Sequence, residues 1–221
     1  MAIFILCSCA TGSNREEEEI SADLKSPQIE LGEVEAQFET MLGMGKLVKQ
    51  KVKMIYFPLE DAVALYYRHE FVNYHQFWSE SGRELFIGSL ARYNNDYDSR
   101  DLDSKSRLKN LNKYGTTRGY LIWQMLSITV QAKGNMDMEL GYVFKDRAPY
   151  FTVNQKVAEY TDPDATSDHR QSMVITLYFT RAQAAEVAAL FDSQLLKDTR
   201  MPKPARVETE TPDTTVEWDE Y

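Results

Sequence analysis

Cysteine is nearly absent from this chain: the only two, Cys7 and Cys9, fall within the first nine residues. A disulfide framework is therefore excluded for the rest of the chain. No stretch approaches the roughly 18 apolar residues of a membrane-spanning helix. There is no basic excess either. The chain carries 25 basic and 34 acidic residues, for a formal net charge of -9, which gives no support to a nucleic acid partner. Histidine is limited to His69, His75 and His169. No H-E-x-x-H is present, "SESG" at Ser79–Gly82 lacks the first glycine of a nucleophile elbow, and no internal repeat is found.

The acidity is unevenly placed. Residues 1–27 set Arg15 and Lys25 against Glu16, Glu17, Glu18, Glu19 and Asp23. Residues 201–221 set Lys203 and Arg206 against Glu208, Glu210, Asp213, Glu217, Asp219 and Glu220. The body between them is close to neutral, which argues against an electrostatically steered site for a highly charged substrate. Hydrophobic residues make up 43% of the chain, so a substantial core is available.

Five readings compete for the opening "FILCSC" (Phe4 to Cys9). A Cys7–Cys9 disulfide would be strained. A redox pair normally has C-x-x-C spacing at a helix start. Zinc needs about four ligands, and no histidine is near in sequence. A core strand would alternate, whereas Ile3 to Leu6 is a continuous apolar run. The order Leu6-Cys7-Ser8-Cys9, followed by small and polar residues, resembles the lipobox of bacterial lipoproteins. There a Leu sits three residues before the modified Cys and a small residue directly before it. The resemblance implies Cys9 as the lipidated residue and the bacterial cell envelope as the location. Acyl chains supply membrane affinity of about 0.8 kcal/mol per buried CH₂. The apolar run Ala2–Leu6 is shorter than the roughly 7–15 residues of a complete signal, and no Lys or Arg precedes it. An upstream start and a chance match both remain as readings.

The expected organisation is a signal-like segment at 1–9, a disordered acidic linker at 10–27, one domain at 28–200 and a disordered acidic tail at 201–221. Within the domain, Val34, Ala36 and Phe38 alternate with Glu33, Glu35, Gln37 and Glu39. After the "GMG" turn, Val48, Val52, Met54 and Tyr56 alternate with Lys49, Lys51 and Lys53. These read as a hairpin pairing an acidic outer face with a basic one. Pro58 ends the second strand, and Ala62 to Phe71 reads as a third.

Ser81 and Glu84 fit a capping box, followed by a helical stripe of Phe86, Leu90, Tyr93 and Tyr97; Asp98 to Ser106 reads as loop. Gly119 to Ala132 reads as a long strand, Gly134-Asn135 as a turn, Met136 to Phe144 as the returning strand, Tyr150 to Val157 and Ser172 to Phe179 as further strands, and Thr161 to Gln171 as a polar loop. Thr180 and Gln183 form a second capping box, followed by a stripe of Ala184, Val187, Phe191 and Leu195. The fold class expected is α+β: a mainly antiparallel sheet of roughly eight strands, one helix inserted mid-chain and one C-terminal helix.

Candidate sites are sparse. His69 and His75 on one strand would stand about 20 Å apart, too far to share a metal. "NNDYDSRDLD" (Asn94 to Asp103) spaces oxygen ligands like a calcium loop, but Ser99 and Lys105 stand where Gly and Glu are needed; a solvated acidic loop is the plainer reading. Strand alternation sends Tyr67, His69 and Phe71 to one face. Tyr66, Arg68 and Glu70 then form an opposite face that could be a recognition surface for a ligand or partner, unless the sheet is covered on both sides. Trp218 and Tyr221 stand in the acidic tail, as a docking motif or as solvated residues. No catalytic residue, metal site or cofactor is indicated. The function expected is a lipid-anchored envelope protein that binds a small ligand or partner protein without chemistry. The alternatives are an envelope hydrolase or isomerase with an unrecognised site, and a soluble C-x-C metal or redox protein.

Overall fold

The computed structural model describes residues 24–40, 45–105, 107–125, 131–158, 160 and 171–200. Cys7, Cys9, His169, Trp218, Tyr221 and the two terminal segments lie outside the described residues. Eight antiparallel strands follow one another in sequence order: β1 (Ile29–Glu39), β2 (Leu47–Phe57), β3 (Ala62–His69), β4 (Val72–Trp78), β5 (Gly115–Met125), β6 (Ala132–Lys145), β7 (Ala148–Gln155) and β8 (Ile175–Phe179). They close on themselves as a barrel. Helix α1 (Glu80–Asp98) and the short α2 (Arg107–Asn110) are inserted between β4 and β5; α3 (Arg181–Leu190) and α4 (Ser193–Arg200) follow β8. The expected mainly antiparallel eight-stranded sheet with a mid-chain helix and a C-terminal helical end is present, and closure into a barrel adds to it.

Alternation decides which side of each strand faces inward. Val34, Ala36 and Phe38 are buried and join the interior cluster with Val52, Met54 and Tyr56. The outer faces of β1 and β2 pair opposite charges: Glu33 lies opposite Lys53 and Glu35 opposite Lys51. The ammonium groups lean diagonally, with Lys51 2.8 Å from Glu33, Lys53 3.0 Å from Glu30 and Lys49 3.4 Å from Glu35.

Closure is brief. β1 meets β8 only at Gln37–Tyr178 and Phe38–Leu177, so the first half of β1 presents an edge. An open edge invites pairing with other chains, and α3 lies against it. Gln183 donates to Glu35 at 3.4 Å, and a bulge between Glu30 and Gly32 bends the strand. At φ +148°, Gly32 has a conformation that side chains rarely adopt, and Leu190 packs against it.

The two ends of the barrel differ. At one end β4 and β8 lead into α1 and α3. Phe86 of α1 enters there and meets the rings of Trp78, Phe151, Phe179 and Phe191 at 5.7, 5.3, 6.5 and 5.2 Å. The other end, called the mouth below, carries the connections that follow β1, β3, β5 and β7. A second, smaller apolar cluster lies on the outer wall, where Phe57, Ala62, Ala64, Phe77, Tyr120 and Ile122 are joined by Leu24.

Several expectations are corrected. The stretch Ala62–Phe71 is not one strand: β3 ends at His69, Glu70 and Phe71 turn, and β4 follows. His69 and His75 therefore stand on adjacent strands, paired with Val72 and Tyr66, and Phe71 is exposed in the turn rather than inward beside Tyr67. The α1 cap is Ser79, whose hydroxyl accepts from Gly82 N at 3.2 Å, not Ser81. Because β4 runs to Trp78, the helix begins at the next free residue. Asp98 closes α1, and Tyr97 at its end is exposed.

Gly134 and Asn135 do not turn; they pair with Leu121 and Tyr120 within β6. Val48 shares the inward pattern of β2 but is exposed, because β3 pairs with β2 only from Lys53 onward and the β1–β2 arm projects past it. The C-terminal stripe changes phase. Thr180 and Gln183 form the expected capping box, but the helix stops at Phe191. Asp192 then accepts from the backbone of Gln194 and Leu195 at 3.0 and 2.9 Å, starting α4 afresh. Leu196, not Leu195, turns into the core.

Candidate functional site

Among the described residues, one line of hydrogen bonds crosses the largely apolar barrel interior. Gln155 on β7 accepts at its side-chain oxygen from Tyr67 OH at 2.7 Å and from Gln76 at 3.0 Å. Gln76 in turn accepts from the Trp78 indole at 3.1 Å, and Gln155 donates to the Met173 carbonyl at 3.3 Å. Three strands, β3, β4 and β7, and the segment before β8 are thereby tied together around one amide. Tyr67 and Tyr74 stack with centroids 5.4 Å apart. Burial pushes Tyr67 well above the ordinary phenol range, and Tyr74 is pushed up to about 12, chiefly by the same burial. Both stay neutral donors across the physiological range.

The mouth opens a cavity of about 360 Å³ above this line, bordered by Glu39, Thr40, Gly45, His69 and Met173–Thr176. His69 stacks on Phe38 at 5.7 Å. Its pKa is lowered by burial, partly offset by nearby Glu70, so a neutral imidazole faces the cavity at neutral pH. The opposite border is held by a clasp. Glu39 accepts from Tyr178 OH at 2.9 Å and meets Lys145 at 3.0 Å; the same ammonium lies 5.7 Å from the Tyr178 ring and 3.5 Å from the Gly45 carbonyl. Glu39 at the end of β1 and Gly45 just before β2 are thus both held by Lys145, and Glu39 is also held by Tyr178 of β8. An open volume of this size, bordered by a neutral imidazole, hydroxyls, the lysine-paired Glu39 carboxylate and an apolar stretch at Met173–Ile175, suits a small polar or amphipathic group.

Tyr66 and Arg68 do share the outer face of β3, and Glu70 stands in the turn that follows. Tyr66 packs on His75 with centroids 4.7 Å apart, and Arg68 folds back to donate to the Glu70 carbonyl at 3.2 Å. His75 is pulled down to about 4 by burial between these rings and Phe77. The face opposite, with Tyr67 and His69, is interior. The three residues are therefore brought together on the outside near the mouth, and the cavity is bordered by residues the sequence reading did not single out, except His69. Met173–Thr176 carry no side-chain signature; only the barrel's closure brings them beside Glu39.

The residues considered as a calcium loop are dispersed. Asn94 to Asp98 are the end of α1. Asp96 binds Lys113 at 2.7 Å and Tyr114 OH at 3.0 Å, and Asp98 binds Arg181 at 2.8 Å. Asp96 lies below the usual carboxylate range, first because of Lys113. A second cavity of about 450 Å³ lies here between Ala91, Arg92, Asn95, Lys113 and Tyr114. Arg92 caps the Tyr114 carbonyl there, and the local charges are already paired. Among the described residues, no cluster of three or more His, Cys, Asp and Glu could hold a metal ion. No helix among them is long and apolar enough to cross a membrane.

The sequence model of a family described as "Uncharacterised Treponema protein" matches residues 28–198, from the approach to β1 into α4. The chain belongs to this family. No curated protein and no solved structure matches it.

Proposed function

We propose that this member of the Treponema family is a bacterial envelope lipoprotein, anchored through Cys9, whose barrel binds a small ligand at its mouth without chemistry. The observation that carries the binding role is the cavity of about 360 Å³ at the end not closed by helices. Its wall is pre-organised on both sides, by His69 stacked on Phe38 and by the Glu39–Lys145–Tyr178 clasp. Pre-formed volume with a few fixed polar groups is what small-ligand sites share. Arg68 and Glu70, at the turn after β3, border the same end and are the proposed points of contact for a larger ligand or partner. The lipobox-like order at Leu6–Cys9 supports the anchor.

Binding is tested by a fragment library screened by ligand-observed NMR against the protein and Thr176→Trp, which fills the cavity. Fragments should bind the protein and lose their signal with Thr176→Trp; an identical hit list for both rejects the mouth as the site. The anchor is tested by palmitate labelling in bacterial cells, where equal labelling of the protein and Cys9→Ser rejects Cys9.

A further inference from the structure

The N-terminal approach to the barrel does not run free up to β1. Leu24 packs against the outer-wall cluster, and Ser26 donates to Glu60 of the β2–β3 turn at 2.5 Å. The wall beneath Leu24 is wider than one side chain. Phe57 on β2, Ala62 and Ala64 on β3, Phe77 on β4, and Tyr120 and Ile122 on β5 are all between 0% and 8% exposed. They stand on the outside of the sheet, because the residues that alternate with them, such as Val63, Leu65, Trp78 and Leu121, belong to the interior cluster. Four adjacent strands span about 14 Å, more than a leucine covers. Among the described residues, the partly buried apolar side chains packed on the cluster are Leu24 and Ile55, and Ile55 is itself part of β2. One face of an antiparallel sheet commonly stands in water; burial this deep on the outer face asks for further apolar cover.

We propose that the chain just before Leu24 supplies that cover: Ile20 seats on Phe77, Tyr120 and Ile122, and residues 20–26 form a strap bound along the outer wall of β2–β5. Ile20 precedes Leu24 by four residues, with Ala22 between them. Residues four apart share a face in a helix and in a strand alike. The step between them is about 6 Å in a helix and about 13 Å in a strand, so in either conformation Ile20 lands within the width of the wall. Continuity selects this occupant. Leu24 is already seated on the cluster, and the chain leaves directly from the patch, whereas a second copy or a foreign protein would have to displace Leu24 or fit around it. Residues 13–19 carry no apolar side chain, so the strap begins at Ile20. With Cys9 anchored as proposed above, the free spacer is then residues 10–19, at most about 35 Å extended, and the barrel is held correspondingly close to the bilayer.

The test follows the full chain carrying Cys9→Ser, so that it does not depend on lipidation, by hydrogen exchange read by mass spectrometry. The amides of residues 18–24 should exchange about tenfold more slowly than in the same chain with Ile20→Asp, the scale of burying one isoleucine side chain, while Ile20→Val keeps the protection. Ile122→Ser, made from the wall side, should release the same peptide. Should that variant fail to fold, Ile20→Asp decides alone, because position 20 lies outside the barrel. Unprotected exchange of residues 18–24 in the chain with Ile20 intact, or equal protection in Ile20→Asp, overturns the proposal. So does protection that disappears on dilution, which would assign the wall to a second copy of the chain.

Discussion

Arg83 and Asp61 form the ion pair with the most deeply buried cation among the described residues. The guanidinium, from the first turn of α1, is 1% exposed and lies 3.2 Å from the Asp61 carboxylate in the β2–β3 turn. It also donates to the Asp61 carbonyl at 2.7 Å and the Trp78 carbonyl at 3.2 Å, and Tyr56 OH donates to the same carboxylate at 3.0 Å. Asp61 has φ 46°, a conformation in which Asp is tolerated better than most residues. One cation thus holds the turn, the end of β4 and the helix start together.

Removing Arg83 should cost far more than removing any pair of the outer β1–β2 ladder. Arg83→Ala takes the donor from the Asp61 and Trp78 carbonyls and leaves the partly exposed Asp61 carboxylate to Tyr56 OH and solvent, and the loss expected is about 1–3 kcal/mol. Lys51 and Glu33 face solvent, and exposed pairs often contribute nothing measurable, so Lys51→Ala should leave the urea midpoint unchanged. Equal shifts of the midpoint in both variants would refute this ranking.

That ladder was legible in the sequence, because alternating Glu on one strand and Lys on the next place opposite charges on the same outer face of the hairpin. The Thr180–Gln183 capping box was legible for a similar reason: both partners are local. The β3–β4 hairpin was not. Its turn uses Glu70 at φ 53°, where no Gly, Asn or Asp announces a left-handed residue, and the flanking residues are all strand formers. Barrel closure was hidden for a different reason. The contact of Phe38 with Leu177 joins the two ends of the domain, and no local pattern encodes such a distance. The mouth cavity depends on that closure, so its border at Met173–Thr176 could not be read in advance.

The interior hydrogen-bond line should be asymmetric to mutation. Tyr67→Phe removes one donor and leaves Gln155 bonded to Gln76, at a cost of about 1 kcal/mol. Gln155→Leu strands both Tyr67 OH and the Gln76 amide in the core, and should cost about 2–5 kcal/mol. Denaturant melts of the two variants check the order; a larger loss in Tyr67→Phe would contradict it.

Stability should fall on acidification through a window set by His75. Its pKa in the folded barrel is about 4 against an ordinary 6.5, so between these values the unfolded chain binds the proton that the folded one refuses. The contribution is complete above about pH 6.5 and is lost progressively toward pH 4, by roughly 2 kcal/mol after allowing for its partial exposure. His69 is shifted in the same direction. Replacing His75 with Gln should flatten the pH profile of the unfolding free energy across this window, and an unchanged slope would show that His75 does not cause it.

Gly141 should tolerate no side chain. A Cβ there would lie 1.9 Å from the Asn110 carbonyl oxygen and 2.4 Å from the Leu111 backbone, where the segment after α2 crosses β6. Backbone cannot yield as a flexible side chain can, so Gly141→Ala forces the crossing apart. The expected result is a large loss of thermal stability or failure to fold, whereas Gly88→Ala, which meets nothing within 4 Å, should match or exceed the parent, as Ala does relative to Gly in a helix.

The restart of the C-terminal helix at Asp192 predicts which of two adjacent leucines matters. A single helix continuing the stripe of Ala184, Val187 and Phe191 would bury Leu195. The observed break gives Leu195 42% exposure and Leu196 1%. Leu196→Ala should therefore cost about 2–5 kcal/mol, as for a buried leucine, and Leu195→Ala should lie within about 0.5 kcal/mol of the parent. Asp192→Ala removes the acceptor for two backbone amides and should cost about 1 kcal/mol. Denaturation of the three variants separates the arrangements: if Leu195→Ala proved the costlier leucine, the helix would run on through Asp192, and that residue could not act as a cap.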